Sequence, residues 1–327
     1  MSPPDKTVAF IGLGVMGFPM ALNLRKGLDS THTLLICEVS SSALSRFQQE
    51  AADQGPVEVV KTGYEAAQRA DTVITMLPDS NAVKQVYLDK DRGVLAGVED
   101  APAASSTARK LIMECGTIET STILEVARAA EASPAASRLA FVDAPVSGGP
   151  MGAQDGTLAF MAGINTKEIF PTAKQYLSYM GRPDTIFLCG DVGAGTAFKV
   201  INNYLSAITS LAASEALNIG AKMGLDLALL TDVINVSGGQ CWVTSKSNPV
   251  PGIQANVPSS RGYEGGFRIE LCAKVLQMGS QLADMVGAKT VLDKPTLEAF
   301  GEVMRDERYK GKDARVVYKW LNESDET

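Results

Sequence analysis

The feature that most constrains this fold is a glycine pattern directly after the first apolar run, TVAFI. The pattern is G-x-G-x-x-G and leads into a helical stretch; its residues are Gly12, Leu13, Gly14, Val15, Met16 and Gly17. The first glycine permits a tight turn, the second lets a pyrophosphate approach the backbone, and the third allows helix and strand to pack closely. These six residues are therefore predicted to bind a dinucleotide, with a glycine turn that holds no ligand as the alternative.

An acidic residue, Glu38, ends the second apolar run, HTLLICE. A carboxylate about 20 residues beyond such a glycine turn accepts hydrogen bonds from the adenosine ribose and repels a 2′-phosphate. The next residues, Val39 to Ser41, include no arginine that could bind that phosphate. The predicted cofactor is therefore NAD rather than NADP, and the alternative interpretation of Glu38 is a solvated strand end.

Short β-branched runs alternate with helical stretches through the first half of the chain: TVAFIG, HTLLICE, DTVITML, LIMEC and LAFVDAPV. Such alternation predicts right-handed βαβ units and a parallel sheet. From Ala194 the pattern is helical, and Gly224 is the expected end of one long helix. We predict an α/β Rossmann-type NAD-binding domain over residues 1–191. A long helix joins it to an all-α domain over residues 192–327, which serves the substrate and oligomerisation.

The segment SKSNPVPGIQANVPSSRGYEGGF is a loop longer than most connections within compact domains. Trp242, Tyr263 and Phe267 lie in or beside it, which predicts an ordered and packed loop.

Composition excludes several functions. The 327 residues include 30 Lys and Arg against 37 Asp and Glu, and the net charge of −7 disfavours nucleic acid or an anionic membrane as partner. One histidine, His32, rules out a histidine-cluster metal site, so no metal is predicted. The five cysteines form no C-x-x-C pair, which fits a reducing compartment. No apolar run has the length of a membrane span. The expected location is cytoplasmic, or the mitochondrial matrix if a presequence has been removed.

The long helix offers a candidate proton-transfer group. Enzymes that use a catalytic histidine, a Tyr-x-x-x-Lys pair or a Cys/His zinc site do not fit this sequence. Lys199 and Asn203 lie four residues apart, hence on one face of a helix that is otherwise mostly apolar. Burial would lower the pKa of the lysine toward a value useful for acid–base chemistry. The alternative is a lysine near the helix start whose amine reaches solvent.

The sequence resembles the β-hydroxyacid dehydrogenase family. The similarity extends from Ile11 to about Trp320, through GLGVMGFPMALNL, DTVITMLPDS, DAPVSGGPMGAQDGTL, GDVGAGTAFKVINN and SGGQCW followed by NPVPG. The segments SGGQCW and NPVPG resemble those of the family branch that acts on 3-hydroxyisobutyrate. The resemblance implies NAD-dependent oxidation of that acid to methylmalonate semialdehyde in valine catabolism, by a homodimer or homotetramer.

The resemblance also implies residue roles. Lys199 is the acid/base, and Asn203 helps to hold the substrate. The substrate carboxylate is bound by Ser147, Gly148 and Gly149. The residues along the cofactor, besides the glycine turn and Glu38, are Leu77, Pro78, Asn81, Thr117 and Lys274.

Three positions depart from the family pattern. The family usually has serine at Gly116, arginine at Gln240 and aspartate at Val275. These departures leave open a related β-hydroxyacid dehydrogenase or a short-chain semialdehyde or glyoxylate reductase. They also leave open a protein that binds NAD as a scaffold or sensor without turnover.

Overall fold

The computed structural model describes residues 7–101 and 109–323. The chain divides into two compact units, one that ends at Lys199 and one that begins at Val200. This division falls inside the long helix, a few residues beyond the boundary predicted between 191 and 192. Among the described residues, no helix combines the length and apolar character needed to cross a membrane.

The first unit is built on a sheet of nine strands. They are β1 (Thr7–Ile11), β2 (Thr33–Cys37), β3 (Val57–Val59), β4 (Thr72–Thr75), β5 (Lys110–Glu114), β6 (Leu139–Asp143), β7 (Val146–Ser147), β8 (Leu158–Ile164) and β9 (Gly181–Gly190). Their order is β3-β2-β1-β4-β5-β6-β8-β7, and β9 pairs with β8.

The predicted parallel sheet is confirmed for the five predicted runs, which form β1, β2, β4, β5 and β6. The short strand β3 was not predicted and pairs in parallel with β2. The directions of the strands after β6 were not predicted. β8 runs antiparallel to both β6 and β7, while β9 is parallel to β8. Only α7 (Gly149–Gln154) and its flanking turns join β7 to β8. This connection is shorter than the dozen or so residues that a parallel crossover requires.

Helices cover both faces of this sheet, and the strand sequences show why. On β1, Val8 and Phe10 belong to one apolar core, while Ala9 and Ile11 belong to the other. Because successive strand residues face opposite sides, a strand buried on both faces reads as a continuous apolar run. The other helices of this unit are α1 (Gly17–Gly27), α2 (Ser41–Glu50), α3 (Gly63–Arg69), α4 (Ser80–Leu88), α5 (Val94–Asp100), α6 (Thr120–Ala132) and α8 (Phe170–Ser178).

The second unit is helical, as predicted. The predicted long helix is α9 (Ala194–Lys222), and Gly224 follows it with a φ of +70°. The later helices are α10 (Leu227–Asn235), α11 (Trp242–Lys246), α12 (Ile269–Val286), α13 (Asp293–Arg305) and α14 (Val317–Glu323).

The long loop of the second unit is packed, with one exception among its aromatic residues. Tyr263 is buried, and its hydroxyl donates to the carbonyl oxygen of Pro249 at 2.8 Å. Phe267 is half-buried. Trp242 was expected to pack in the same way, but it is 58% exposed and lies under the Arg315 guanidinium, 5.4 Å from its ring centroid.

Candidate active site

The glycine turn between β1 and α1 is shaped to admit a ligand. Gly12 has a φ of +96°, and a Cβ there would lie 2.5 Å from the carbonyl oxygen of Met76. A Cβ on Gly17 would collide with the Gly12 backbone, whereas one on Gly14 would meet no atom within 4 Å. Gly12 and Gly17 thus allow close packing, and Gly14 leaves the backbone open to a ligand. No side chain caps the N-terminus of α1, so its N–H groups can receive a pyrophosphate.

Glu38 stands beside this turn at the end of β2. One carboxylate oxygen accepts a hydrogen bond from the Leu13 backbone N–H at 2.6 Å, and the other accepts from Ser40 N–H at 2.9 Å. Both bonds fix the negative charge next to the glycine loop. The residues therefore fit an adenosine ribose, whose hydroxyls can donate to the same oxygens.

The other residues predicted to contact the cofactor in this unit follow β4 and β5. Leu77 is buried, Pro78 is exposed, and Asn81 is exposed in the first turn of α4. Thr117 is half-buried and follows β5. Because β1, β2, β4 and β5 are parallel, their carboxyl ends share one edge of the sheet, and ligands of open α/β sheets bind at that edge.

The predicted substrate loop begins after β6. Ser147 is half-buried on the short strand β7, while Gly148 and Gly149 are exposed with φ values of +141° and +64°. Such conformations favour glycine because an L side chain is strained there. Successive backbone N–H groups in a turn of this kind form a concavity suited to a carboxylate.

Lys199 lies in the second turn of α9 and is only 9% exposed. Burial lowers the pKa of its amine to about 8. The desolvated neutral amine is the form that can accept a proton. The structure therefore agrees with the buried lysine expected from the sequence and not with one that reaches solvent.

The sequence did not reveal how α9 is held at its start. Asp143, buried at the end of β6, accepts hydrogen bonds from Gly193 N–H at 2.8 Å and from Thr196 N–H and hydroxyl at 2.6 and 2.8 Å. Three donors therefore meet one carboxylate, which caps the helix that carries Lys199. The only sequence signal was an aspartate that ends an apolar strand.

Two predicted site residues belong to the second unit. Asn203 is half-buried on α9, one turn beyond Lys199, and Lys274 is half-buried on α12. Val275, where the family resemblance implied aspartate, is 5% exposed and packs with Val200 and Met278. The apolar surroundings suit a valine side chain at this position.

Comparisons with known proteins agree with this arrangement. The family model described as the NAD binding domain of 6-phosphogluconate dehydrogenase matches residues 7–192. The model described as the NAD-binding domain of NADP-dependent 3-hydroxyisobutyrate dehydrogenase matches residues 193–321.

Individual relatives are similar over nearly the whole chain. The mitochondrial 3-hydroxyisobutyrate dehydrogenase of Homo sapiens is 36% identical over 97% of this chain and 87% of its own length. The 3-hydroxyisobutyrate dehydrogenase of Pseudomonas aeruginosa is 37% identical over 95% of this chain and 97% of its own length. The solved structure of the Mycobacterium tuberculosis enzyme with L-serine has 33% identity and a TM-score of 0.83, over 97% of this chain and 99% of that chain.

A Rossmann-type sheet with an open glycine turn, followed by a helix that buries a lysine, defines a nicotinamide-dependent dehydrogenase, an oxidoreductase whose cofactor is NAD or NADP. The chain belongs to the 3-hydroxyisobutyrate dehydrogenase family. The family predicted from the sequence is thereby confirmed.

Proposed function

We propose that this protein oxidises 3-hydroxyisobutyrate to methylmalonate semialdehyde with NAD, as a step of valine catabolism. The observation that carries the proposal is Lys199, an amine with a pKa of about 8, buried at the predicted catalytic position. Two relatives named 3-hydroxyisobutyrate dehydrogenase are 36% and 37% identical to almost the full chain, which supports 3-hydroxyisobutyrate as the substrate.

In the proposed mechanism the protein binds, orients and deprotonates the hydroxy acid. The Ser147 hydroxyl and the backbone N–H groups of Gly148 and Gly149 bind the carboxylate. The Asn203 amide orients the substrate, and the Lys199 amine accepts the proton of the hydroxyl group. When bound, NAD supplies the acceptor for the hydride that leaves the same carbon.

We further propose a contact set for the cofactor. The glycine turn Gly12–Gly17 receives the pyrophosphate at the start of α1, and Glu38 receives the adenosine ribose. The residues proposed along the rest of the cofactor are Leu77, Pro78, Asn81, Thr117 and Lys274.

Glu38 leads us to propose that NAD is preferred over NADP. Its carboxylate is held beside the glycine turn by two backbone N–H groups, so a 2′-phosphate would meet a fixed negative charge. We expect kcat/KM to favour NAD by at least about tenfold, or roughly 1.4 kcal/mol. Glu38→Gln keeps the side-chain size, removes the charge and should reduce this preference. Equal efficiency of the wild-type protein with both cofactors would contradict the assignment.

The substrate is tested by steady-state NADH formation over a panel of short hydroxy acids. The panel includes 3-hydroxyisobutyrate, 3-hydroxypropionate, 4-hydroxybutyrate, glycolate and L-serine. We expect the highest kcat/KM with 3-hydroxyisobutyrate. A higher value for another acid assigns the protein to a sister activity. Tight NADH binding without turnover of any acid indicates a scaffold or sensor.

We propose that the second unit associates with a further copy of the same chain. Large apolar side chains are exposed along α9 and α10, among them Leu205, Ile219, Leu229 and Val233. Exposed apolar patches of this kind mark interaction surfaces.

For the compartment, we propose the mitochondrial matrix when an import sequence is present, and the cytoplasm otherwise. Several relatives, including the human one, are named as mitochondrial. Fractionation of cells that express the full-length protein tests this proposal.

A further inference from the structure

A buried carboxylate lies beneath the two loops that follow β4 and β5. Glu114 is the last residue of β5, has no exposed surface and is paired in register with Thr75 at the end of β4. A carboxylate in such a place is costly unless its oxygens are fully hydrogen-bonded. Its partners therefore indicate what the residue does.

The partners of Glu114 come from both loops. One carboxylate oxygen accepts the Gly116 backbone N–H at 2.6 Å, which fixes the loop after β5. The backbone of Leu77 also hydrogen-bonds to this carboxylate, which fixes the loop after β4. The second oxygen accepts a hydrogen bond from the Thr75 hydroxyl. The oxygen of this hydroxyl lies 2.7 Å from the hydroxyl oxygen of Tyr87 on α4.

The glycine at position 116 follows from this arrangement. A Cβ on Gly116 would lie 2.6 Å from the nearer Glu114 oxygen and 2.7 Å from the carbonyl oxygen of Leu77. Real Cβ atoms do not approach other atoms this closely. The departure from the family pattern at Gly116 therefore makes room for the carboxylate and for the close approach of the two loops.

We propose that Glu114 is a positioning residue of the cofactor site, which ties the loop of Leu77 and Pro78 to the loop of Thr117 and sets the distance between them. The inference rests on the proposed role of these loops in binding NAD. Glu114 acts through them, since its side chain is buried below the loop backbones. Charge-assisted hydrogen bonds to backbone N–H groups are stronger than neutral ones, so the carboxylate form holds the loops best.

This arrangement couples cofactor binding to pH. Burial raises the pKa of Glu114 to about 7. Within residues 7–101 and 109–323, the titratable groups that interact with it are the Tyr87 phenol and the Cys115 thiol, and burial raises the pKa of both well above their ordinary values. Neither ionises near neutrality. Protonation of Glu114 turns one acceptor oxygen into a donor, so we expect NADH to bind more weakly below pH 7.

The test is NADH binding measured by fluorescence titration from pH 5.5 to 8.5. Glu114→Gln keeps the shape of the side chain but places an NH2 group where an oxygen accepted a bond. We expect the Kd for NADH and the KM for NAD to rise about tenfold, with KM for the hydroxy acid within about threefold. The wild-type Kd should rise below neutral pH, and the Kd of the variant should not.

Two further variants separate loop positioning from general stability. Thr75→Val removes the hydroxyl that donates to the second Glu114 oxygen, and it should raise the NADH Kd by a smaller factor than Glu114→Gln. This variant tests the inference if Glu114→Gln does not fold. Tyr87→Phe removes the outermost hydroxyl and leaves the Thr75 to Glu114 contact. As the matched control, it should leave the NADH Kd within about twofold, whatever it does to the unfolding temperature.

The result that overturns the inference is an unchanged NADH Kd and pH dependence in Glu114→Gln, even if its unfolding temperature falls. This outcome is distinct from failure of the proposed substrate, because NADH binding is measured without a hydroxy acid. A wild-type protein that binds neither NADH nor NADPH would overturn the inference together with the proposed cofactor site.

Discussion

Lys199 illustrates how the position of one residue sets its chemistry. An ordinary lysine amine has a pKa near 10.4, whereas burial lowers the pKa of the Lys199 amine to about 8. The neutral form therefore becomes the main form just above neutral pH. In the proposed mechanism the neutral amine is the form that accepts the proton during alcohol oxidation. We therefore expect kcat/KM to rise with pH and to level off above about pH 8.

Substitution of Lys199 tests this role. We expect Lys199→Ala to lower kcat by about 10²- to 10⁴-fold, the usual contribution of a positioned acid–base group. Lys199→Arg should be nearly as inactive, because a guanidinium keeps its proton at working pH. NADH affinity, measured by fluorescence titration, should change little in both. Near-native turnover of the arginine variant would show that the residue contributes charge and not proton transfer.

The depressed pKa of Lys199 also affects stability. The folded amine binds fewer protons than the unfolded one between about pH 8 and its ordinary pKa near 10.4. Its contribution to the free energy of unfolding therefore increases as pH rises through this window. Lys199→Met should remove this part of the pH dependence, which urea unfolding at several pH values measures.

The predicted substrate loop, Ser147 to Gly149, is best tested with a substitution that preserves the fold. Gly148→Val would combine an unfavourable backbone conformation with a Cβ 2.9 Å from Leu158, so a loss of fold would obscure its effect on binding. Gly149 has no atom within 4 Å of a Cβ position, and alanine there meets only the cost of its φ of +64°.

We expect Gly149→Ala to raise KM for the hydroxy acid about tenfold, because the methyl group and altered turn would disturb the N–H groups proposed to receive the carboxylate. The Kd for NADH should stay within about threefold. The measurements are steady-state kinetics and fluorescence titration. Loss of NADH affinity in a folded variant would mean that the loop serves the cofactor instead.

At the scale of elements, the start of α9 shows how a strand fixes a helix. Asp143 ends β6, and its carboxylate accepts hydrogen bonds from Gly193 N–H, just before α9, and from the N–H and hydroxyl of Thr196 in the first turn of α9. The predicted substrate loop begins at Ser147, only a few residues after Asp143. One carboxylate therefore holds the helix of Lys199 in register with the strand that precedes the predicted carboxylate site.

We expect Asp143→Asn to lower the free energy of unfolding by about 1–3 kcal/mol, because its NH2 group faces donors and leaves one of them unpaired. It should also lower kcat by moving Lys199, with the NADH Kd little changed. Thr196→Val removes one donor only and should have a smaller effect, and Thr196→Ser should restore wild-type behaviour. An unaltered kcat in a folded Asp143→Asn protein would contradict this positioning.

At the scale of the whole molecule, the exposed apolar side chains of α9 and α10 predict association. We expect the wild-type mass in solution, measured by light scattering after gel filtration, to be that of a dimer or tetramer. Leu229→Lys with Val233→Lys should shift it toward the monomer, since both side chains are more than half exposed in the single chain. The control Glu302→Lys, on an exposed position of α13, should not. A monomeric wild-type protein would contradict the prediction.

The sequence by itself determined the local features of this protein. Strand periodicity, the glycine turn and the long apolar helix each depend on residues close together in the chain. They therefore predicted β1, β2, β4, β5 and β6, the cofactor class and Lys199 as the candidate buried lysine. The same local reasoning gave no direction for β8, because the direction of a strand depends on the connection that precedes it. It misjudged Trp242, because the exposure of that side chain depends on residues distant in sequence.

The contacts between distant residues were decided only by the tertiary structure. Asp143 and Thr196 lie 53 residues apart, and Thr75 and Glu114 lie 39 apart. In the sequence each carboxylate is simply the last residue of an apolar strand. Whether such a carboxylate faces solvent or receives buried N–H and O–H donors depends on which loops the sheet brings above it, and that depends on the folding of the whole unit.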